Sequence, residues 1–174
     1  MIAAPRALGR PKGAAPRPDN MSLFSRLLTS RVSSKIAVMN PFVDRLLRAW
    51  TNVDDLVRLE DRFAELYTDP VRVNGSNLTL VDLVARARSL HAAFSELRAD
   101  VVQVVEDANS LAVAFIMRGR HTGPYETPFG TIQPNGAEVQ IRTVDVLTIT
   151  DGKIPSIWVN ADDLGILRQL GWGP

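Results

Sequence analysis

The stretch from Ala137 to Ala161 reads AEVQIRTVDVLTITDGKIPSIWVNA. Its odd positions up to 149 are Val139, Ile141, Thr143, Asp145, Leu147 and Ile149. Its even positions include Gln140, Arg142 and Thr148. Alternation with a period of two is the signature of a half-buried strand. Asp151-Gly152 then interrupts it with a hairpin-turn signal. The pattern predicts two long antiparallel strands, 137–150 and 154–161, joined by a tight turn. The odd face is the more apolar, so it should look towards the core.

Working upstream, residues 97–105 and 110–121 show the same period, separated by the turn signal Asp107-Ala108-Asn109-Ser110. Pro124, Pro128 and Pro134 make 122–136 a loop. Before residue 97 the period is helical. Asn40-Pro41 opens a first helix, with Phe42, Leu46 and Trp50 on one face. Asn52, with Asp55 three residues on, opens a second. Its apolar positions Leu56, Leu59, Phe63, Leu66 and Tyr67 run to a stop at Asp69-Pro70. Val71–Asn74 is a short extended piece, and Thr79-x-x-Asp82 opens a third helix. A short helix, 163–170, closes the chain, with Asp162 or Asp163 as its cap. Helices followed by a strand meander predict an α+β fold: a cone-shaped, curved antiparallel sheet packed against three N-terminal helices.

Composition narrows the chemistry. The 174 residues are enough for one domain with a sizeable core. With no cysteine, disulfides, thiolate metal sites and a cysteine nucleophile are excluded. Two histidines, His91 and His121, are too few for a multi-histidine metal centre, and no metal is expected. Residues 1–35 carry a balance of +6 and the remainder −5, so the folded part has no basic face for nucleic acid. Residues 1–37 are expected to be a disordered or upstream extension, rich in Ala, Pro, Arg and Ser, with the domain spanning 38–174. No apolar run is long enough for a membrane span, and a cytoplasmic location is expected.

Parity also picks out candidate site residues. Asp145 falls mid-strand on the face predicted to be buried, where an unpaired carboxylate is costly. In 110–121 the inward set is Leu111, Val113, Phe115, Met117, Gly119 and His121, so His121 ends the stripe. In the last strand Trp158 shares a parity with Ile154, Asn160 and Asp162. These positions predict a small-molecule cavity with Asp145 deep inside and His121 near its mouth. Phe63, Tyr67, Phe115 and Met117 would line it from the core side. Tyr125, Phe129, Trp158 and Asn160 would complete the wall, with His91 at the rim. Structural alternatives stand beside each: Asp145 could bond a backbone N–H or the Trp158 indole, and His121 could cap a strand end.

Gly119-Arg-His121-Thr-Gly-Pro-Tyr125, Asp145-Val-Leu-Thr-Ile-Thr-Asp-Gly-Lys-Ile154, Trp158-Val-Asn-Ala-Asp162 and Leu164-Gly-Ile-Leu-Arg-Gln-Leu-Gly171 together resemble the SnoaL-like polyketide cyclase, or ester cyclase, pattern. The resemblance covers residues 40–171 and is most specific over 119–171. It implies a fold of the nuclear transport factor 2 type. It also implies a cofactor-free intramolecular aldol ring closure on a hydrophobic polyketide-like carbonyl compound. Asp145 matches the family's acid/base position, and His121 the position of its loop-proximal histidine. A limonene-type epoxide hydrolase would need an arginine pointing inward, whereas Arg118, Arg120 and Arg142 all fall on the outward set. A non-catalytic ligand-binding dimerisation module is the third reading. The outward face, with Val144 and Val146 and with Val102 and Val104 beside them, predicts a homodimer.

Overall fold

The computed structural model describes residues 40–52 and 58–173, within a compact unit spanning Met39–Pro174. The expectations for residues 1–37, and the Asp55 part of the second helix opening, lie outside the described residues.

Helix α1 (Pro41–Thr51) starts as its sequence dictates. The Asn40 side chain accepts the Phe42 and Val43 N–H groups at 2.8 and 3.2 Å, supplying the acceptors that the first turn lacks. Asn52 closes this helix, its N–H donating to the Arg48 carbonyl. Helix α2 (Leu59–Leu66) buries Leu59, Phe63 and Leu66. It ends one residue before Tyr67, which begins strand β1 (Tyr67–Val73). Tyr67 is therefore a strand residue, and Asp69-Pro70 lies inside β1 instead of stopping a helix. Strand β2 (Ser76–Leu78) pairs back on β1. Helix α3 (Leu80–Ala93) opens on a full capping box, with Thr79 and Asp82 each satisfying the other's backbone N–H.

Four long strands follow: β3 (Phe94–Asp107), β4 (Ser110–His121), β7 (Glu138–Thr150) and β8 (Lys153–Ala161). The segment 122–136 is more ordered than its prolines suggest. It holds a small hairpin of β5 (Tyr125–Thr127) and β6 (Gly130–Ile132). Helix α4 (Asp163–Gln169) ends the fold, capped by Asp162, whose Oδ1 accepts the Gly165 N–H at 2.8 Å. Gly123 has a structural duty: a Cβ there would come within 1.9 Å of the Ala92 carbonyl oxygen. Only glycine lets the chain leave β4 this close to the end of α3.

The main sheet runs β2-β1-β8-β7-β4-β3. Every pairing is antiparallel except one. β1 and β8 pair in parallel, Tyr67 opposite Ile154, so the sheet is mixed where an all-antiparallel one was expected. Bulges in β3, at 95–98 and 101–103, help curve it over the helices.

Strand β7 alternates as predicted: its odd positions face in and its even positions are exposed. Strand β8 does not hold its parity. Thr148 pairs with Ser156 and Thr150 with Lys153, so one extra residue enters β8 at Ile154–Pro155. A one-residue bulge swaps the faces of everything beyond it. Ile154 and Ile157 both point inward, while Trp158 is turned out and 62% exposed. Asn160 is exposed with it. Val104, expected outside, packs on the core instead, displaced by the bulge at 101–103.

Candidate active site

Asp145 is 7% exposed, on the inner face of β7. Its cross-strand neighbours are Val113 on β4 and Val159 on β8. Thr143 and Leu147, two residues away on either side, are also buried. The helices cover this face with Leu46, Leu47 and Phe63, in one cluster with Tyr67 of β1, Val113 and Leu147. Asp145 Oδ1 is buried without a hydrogen-bond partner. Burial disfavours the charged form and pushes the carboxyl from 3.8 up to about 7.

Tyr67 lies in the same cluster. Its hydroxyl accepts the Trp50 indole N–H at 2.9 Å. Phe63 packs against both rings, tilted to Trp50 at 5.0 Å and edge-on to Tyr67 at 5.6 Å. Burial, and secondly the Asp145 charge, raise the phenol above its ordinary range against the lowering effect of the Trp50 bond. Trp50 and its bond to Tyr67 were not foreseen. The helical spacing flagged Trp50 only as core, and nothing local in the sequence pairs it with a residue 17 positions on.

His91 stands on the flank of α3. Both its ring nitrogens are buried and unpartnered. Burial lowers its pKa, and the Trp50 backbone close by works against that without reaching hydrogen-bonding geometry.

His121 belongs to a different centre. It is fully buried, not at a mouth. Eight residues separate it from Val113, the partner of Asp145, which is about 26 Å along the strand at about 3.3 Å per residue. Its ring lies against Phe94 at 5.5 Å, and Phe94 meets Tyr125 edge-on at 5.2 Å. His121 Nδ1 is 3.1 Å from Asn135 Oδ1. Asn135 also accepts the Ala137 N–H and donates to the Leu170 carbonyl. With Oδ1 an acceptor, Nδ1 must carry a proton, and Nε2 is buried without a partner. The cluster ties the end of β4 to the end of α4.

The structure thus brings Phe63, Tyr67 and Phe115 into one core, with Met117 packed on its edge, and sets Asp145 beside Val113 of that core. It puts Tyr125 with His121. It removes Trp158 and Asn160 to the outer face. It also removes Phe129, which is 63% exposed and stacks on Trp172 at 4.7 Å in the β5–β6 turn. The sequence could not place these last three. A bulge decides Trp158 and Asn160, and a hairpin decides Phe129. A groove of about 340 Å³ between α1 and β3, lined by Asp44, Leu47, Arg48, Leu97, Arg98 and others, holds none of the predicted site residues. Among the described residues no cluster of three or more metal-ligating side chains occurs, and no helix is long and apolar enough to cross a membrane.

The model of the SnoaL-like polyketide cyclases matches residues 42–170. The chain belongs to the SnoaL-like polyketide cyclase family. No curated protein matches it. Among solved structures it is similar to TsrD from Streptomyces laurentii, at 20% identity and a TM-score of 0.63, over 75% of this chain and 92% of that one. AclR from Streptomyces galilaeus gives 22% and 0.63, over 76% and 95%. A SnoaL-like polyketide cyclase from Agrobacterium tumefaciens gives 24% and 0.58, over 76% and 100%. Identities this low carry the fold and nothing finer. Asp145, read from strand parity, falls inside the matched region, as do Tyr67 and Trp50.

Proposed function

We propose that this member of the family is a cofactor-free cyclase in which Asp145 is the acid/base for an intramolecular aldol closure of a hydrophobic polyketide-like carbonyl compound. One observation carries the reading: a buried carboxyl, with an unpartnered oxygen, held at about 7 by burial. A base must match its working pH to take and return a proton efficiently. At 3.8 an aspartate is too weak a base for a carbon-bound proton, and burial corrects that. A conjugated polyketide spreads the enolate charge over its own carbonyls. His121, far along β4 and locked to Asn135, serves the fold in this reading.

The epoxide-hydrolase alternative finds no support. Arg118 pairs with Asp100 at 2.6 Å, Arg120 with Glu138 at 3.1 Å and Arg142 with Asp162 at 3.7 Å, all on the outward set.

The deciding experiment measures both turnover and affinity. The probe is the methyl ester of an aromatic polyketone with a free methylene between two carbonyls. Asp145→Asn should lower turnover by roughly two to four orders of magnitude while binding changes little. Equal turnover by the two proteins would sink the assignment. Binding without turnover in either would favour the binding module.

A further inference from the structure

The groove between α1 and β3 is a channel with two different walls. Asp44, Leu47, Arg48 and Thr51 recur at helical spacing along one side of α1. Leu97, Arg98, Ala99 and Val101 of β3 form the other wall. Asp44 to Thr51 rises about 10 Å along the helix, and Leu97 to Val101 about 13 Å along the strand, so the walls are similar in length. The volume, about 340 Å³, lies at the small end of the roughly 300–1,000 Å³ typical of small-molecule sites. The floor is apolar, because Leu47, Ala99 and Val101 all pack on the core cluster.

The charge in this groove is out of balance at Arg98. Its cross-strand neighbour on β4 is Arg118, and like charges directly opposite each other destabilise a sheet. The acids that could offset it are engaged elsewhere. Asp100 pairs with Arg118 at 2.6 Å, Glu96 lies 4.0 Å from Arg120, and Asp44 is held by Arg48 at 2.9 Å. Among the described residues Arg98 has neither an ion pair nor a hydrogen bond from its side chain. The groove thus carries two arginines against one carboxylate. β3 is also the edge strand of the sheet, so backbone N–H groups on its free side stand along the same wall. A bulge just before Arg98 shapes that wall. Glu96 and Leu97 together face Gly119, Glu96 adopts a left-handed φ of 54°, and Leu97 turns inward to 9% exposure. Bulges re-aim side chains and gather next to functional sites.

We propose that this groove binds a slender amphipathic carboxylate, its apolar body on Leu47, Leu97, Ala99 and Val101 and its head on the Arg98 guanidinium. The proposal stands apart from the Asp145 reading, and neither needs the other. A guanidinium holds a carboxylate through two parallel N–H bonds, which an alcohol or an amine cannot reproduce. A bound anion also offsets the repulsion between Arg98 and Arg118. The Asp44 carboxylate on the opposite wall repels the ligand's head and limits its affinity.

The test is calorimetric titration of the intact protein with octanoate, octanol and octylammonium, three chains of one length with different heads. Octanoate should bind, and added salt should weaken it. The alcohol and the amine should bind several-fold less tightly. Arg98→Gln should lower octanoate affinity by about fivefold, the most that an exposed ion pair is worth, and leave octanol unchanged. Asp44→Asn should raise octanoate affinity by a few-fold. Thermal melts establish that each variant is folded, and Arg98→Gln should melt no lower than wild type because a like-charge pair has gone. If Arg98→Gln fails to fold, Asp44→Asn and the three head groups carry the test. No octanoate binding by wild type at millimolar concentration would overturn the proposal. So would equal affinity for octanoate and octanol, or an octanoate affinity that Arg98→Gln leaves unchanged. Turnover by Asp145→Asn bears on the acid/base reading alone, so the two fail separately.

Discussion

At position 145 the chain sets a carboxyl between Thr143 and Leu147 on the buried side of β7, opposite Val113 and Val159. This arrangement has a cost that depends on pH. The folded pKa, about 7, lies above the unfolded value of 3.8. Below pH 4 the group is protonated in both states and costs nothing. As pH climbs from 4 to 7 the unfolded chain gains by ionising and the folded one does not, so stability falls until the folded carboxyl ionises too. Three units correspond to about 4 kcal/mol at most. Asp145→Asn should therefore match wild type near pH 4 and be more stable at pH 7.5, by up to about that amount. Urea unfolding at the two pH values measures it. A variant less stable than wild type at pH 7.5 would mean that the carboxylate is held by bonds, not merely tolerated. Asp145 was legible in the sequence because parity alone exposes a charge on an apolar stripe. Tyr67 was less so. It was legible as apolar lining, but its hydroxyl has meaning only through Trp50, and tertiary packing makes that pair.

Among the elements, β7 and β8 show what alternation can and cannot tell. In β7 the period of two runs unbroken for 13 residues and every inward position is where the pattern puts it. In β8 the same reasoning fails after Pro155, because a bulge has no signature in alternation except its consequences. The inward position at 157 is an isoleucine and the outward one at 158 a tryptophan, and both are apolar, so the pattern could not arbitrate. The second helix shows the other limit. Leu66 and Tyr67 continue the helical stripe, yet Tyr67 pairs with Ile154 in the sheet. The parallel contact is non-local, and local spacing is silent about it. The caps at Asn40, Thr79 and Asp162 were legible because each is chemistry between residues three or fewer apart.

For the whole molecule, those same bulges build a surface that parity alone misjudged. Val105, Ala112, Val146 and Trp158 are aligned neighbours across β3, β4, β7 and β8. Ala114 and Val144 lie side by side in the next row. Val105, Val146 and Trp158 are each more than two-fifths exposed. A continuous apolar row on an open sheet face is the kind of surface that proteins cover, and we propose that a second copy covers it. Light scattering should show a dimer at micromolar concentration. Val146→Asp, which puts a charge in the middle of the row, should give a monomer that still melts cooperatively, at a lower temperature because the association that stabilised the folded state is lost. A monomeric wild type across that range would remove the idea.

The central claim is that burial holds the Asp145 carboxyl at a pKa suited to moving a proton at neutral pH. The most direct measurement is an NMR titration of its side-chain carboxyl carbon in the intact protein, assigned by comparison with Asp145→Asn. One titration with a midpoint near 7 is expected, well separated from the exposed carboxylates. A midpoint near 4 would contradict it.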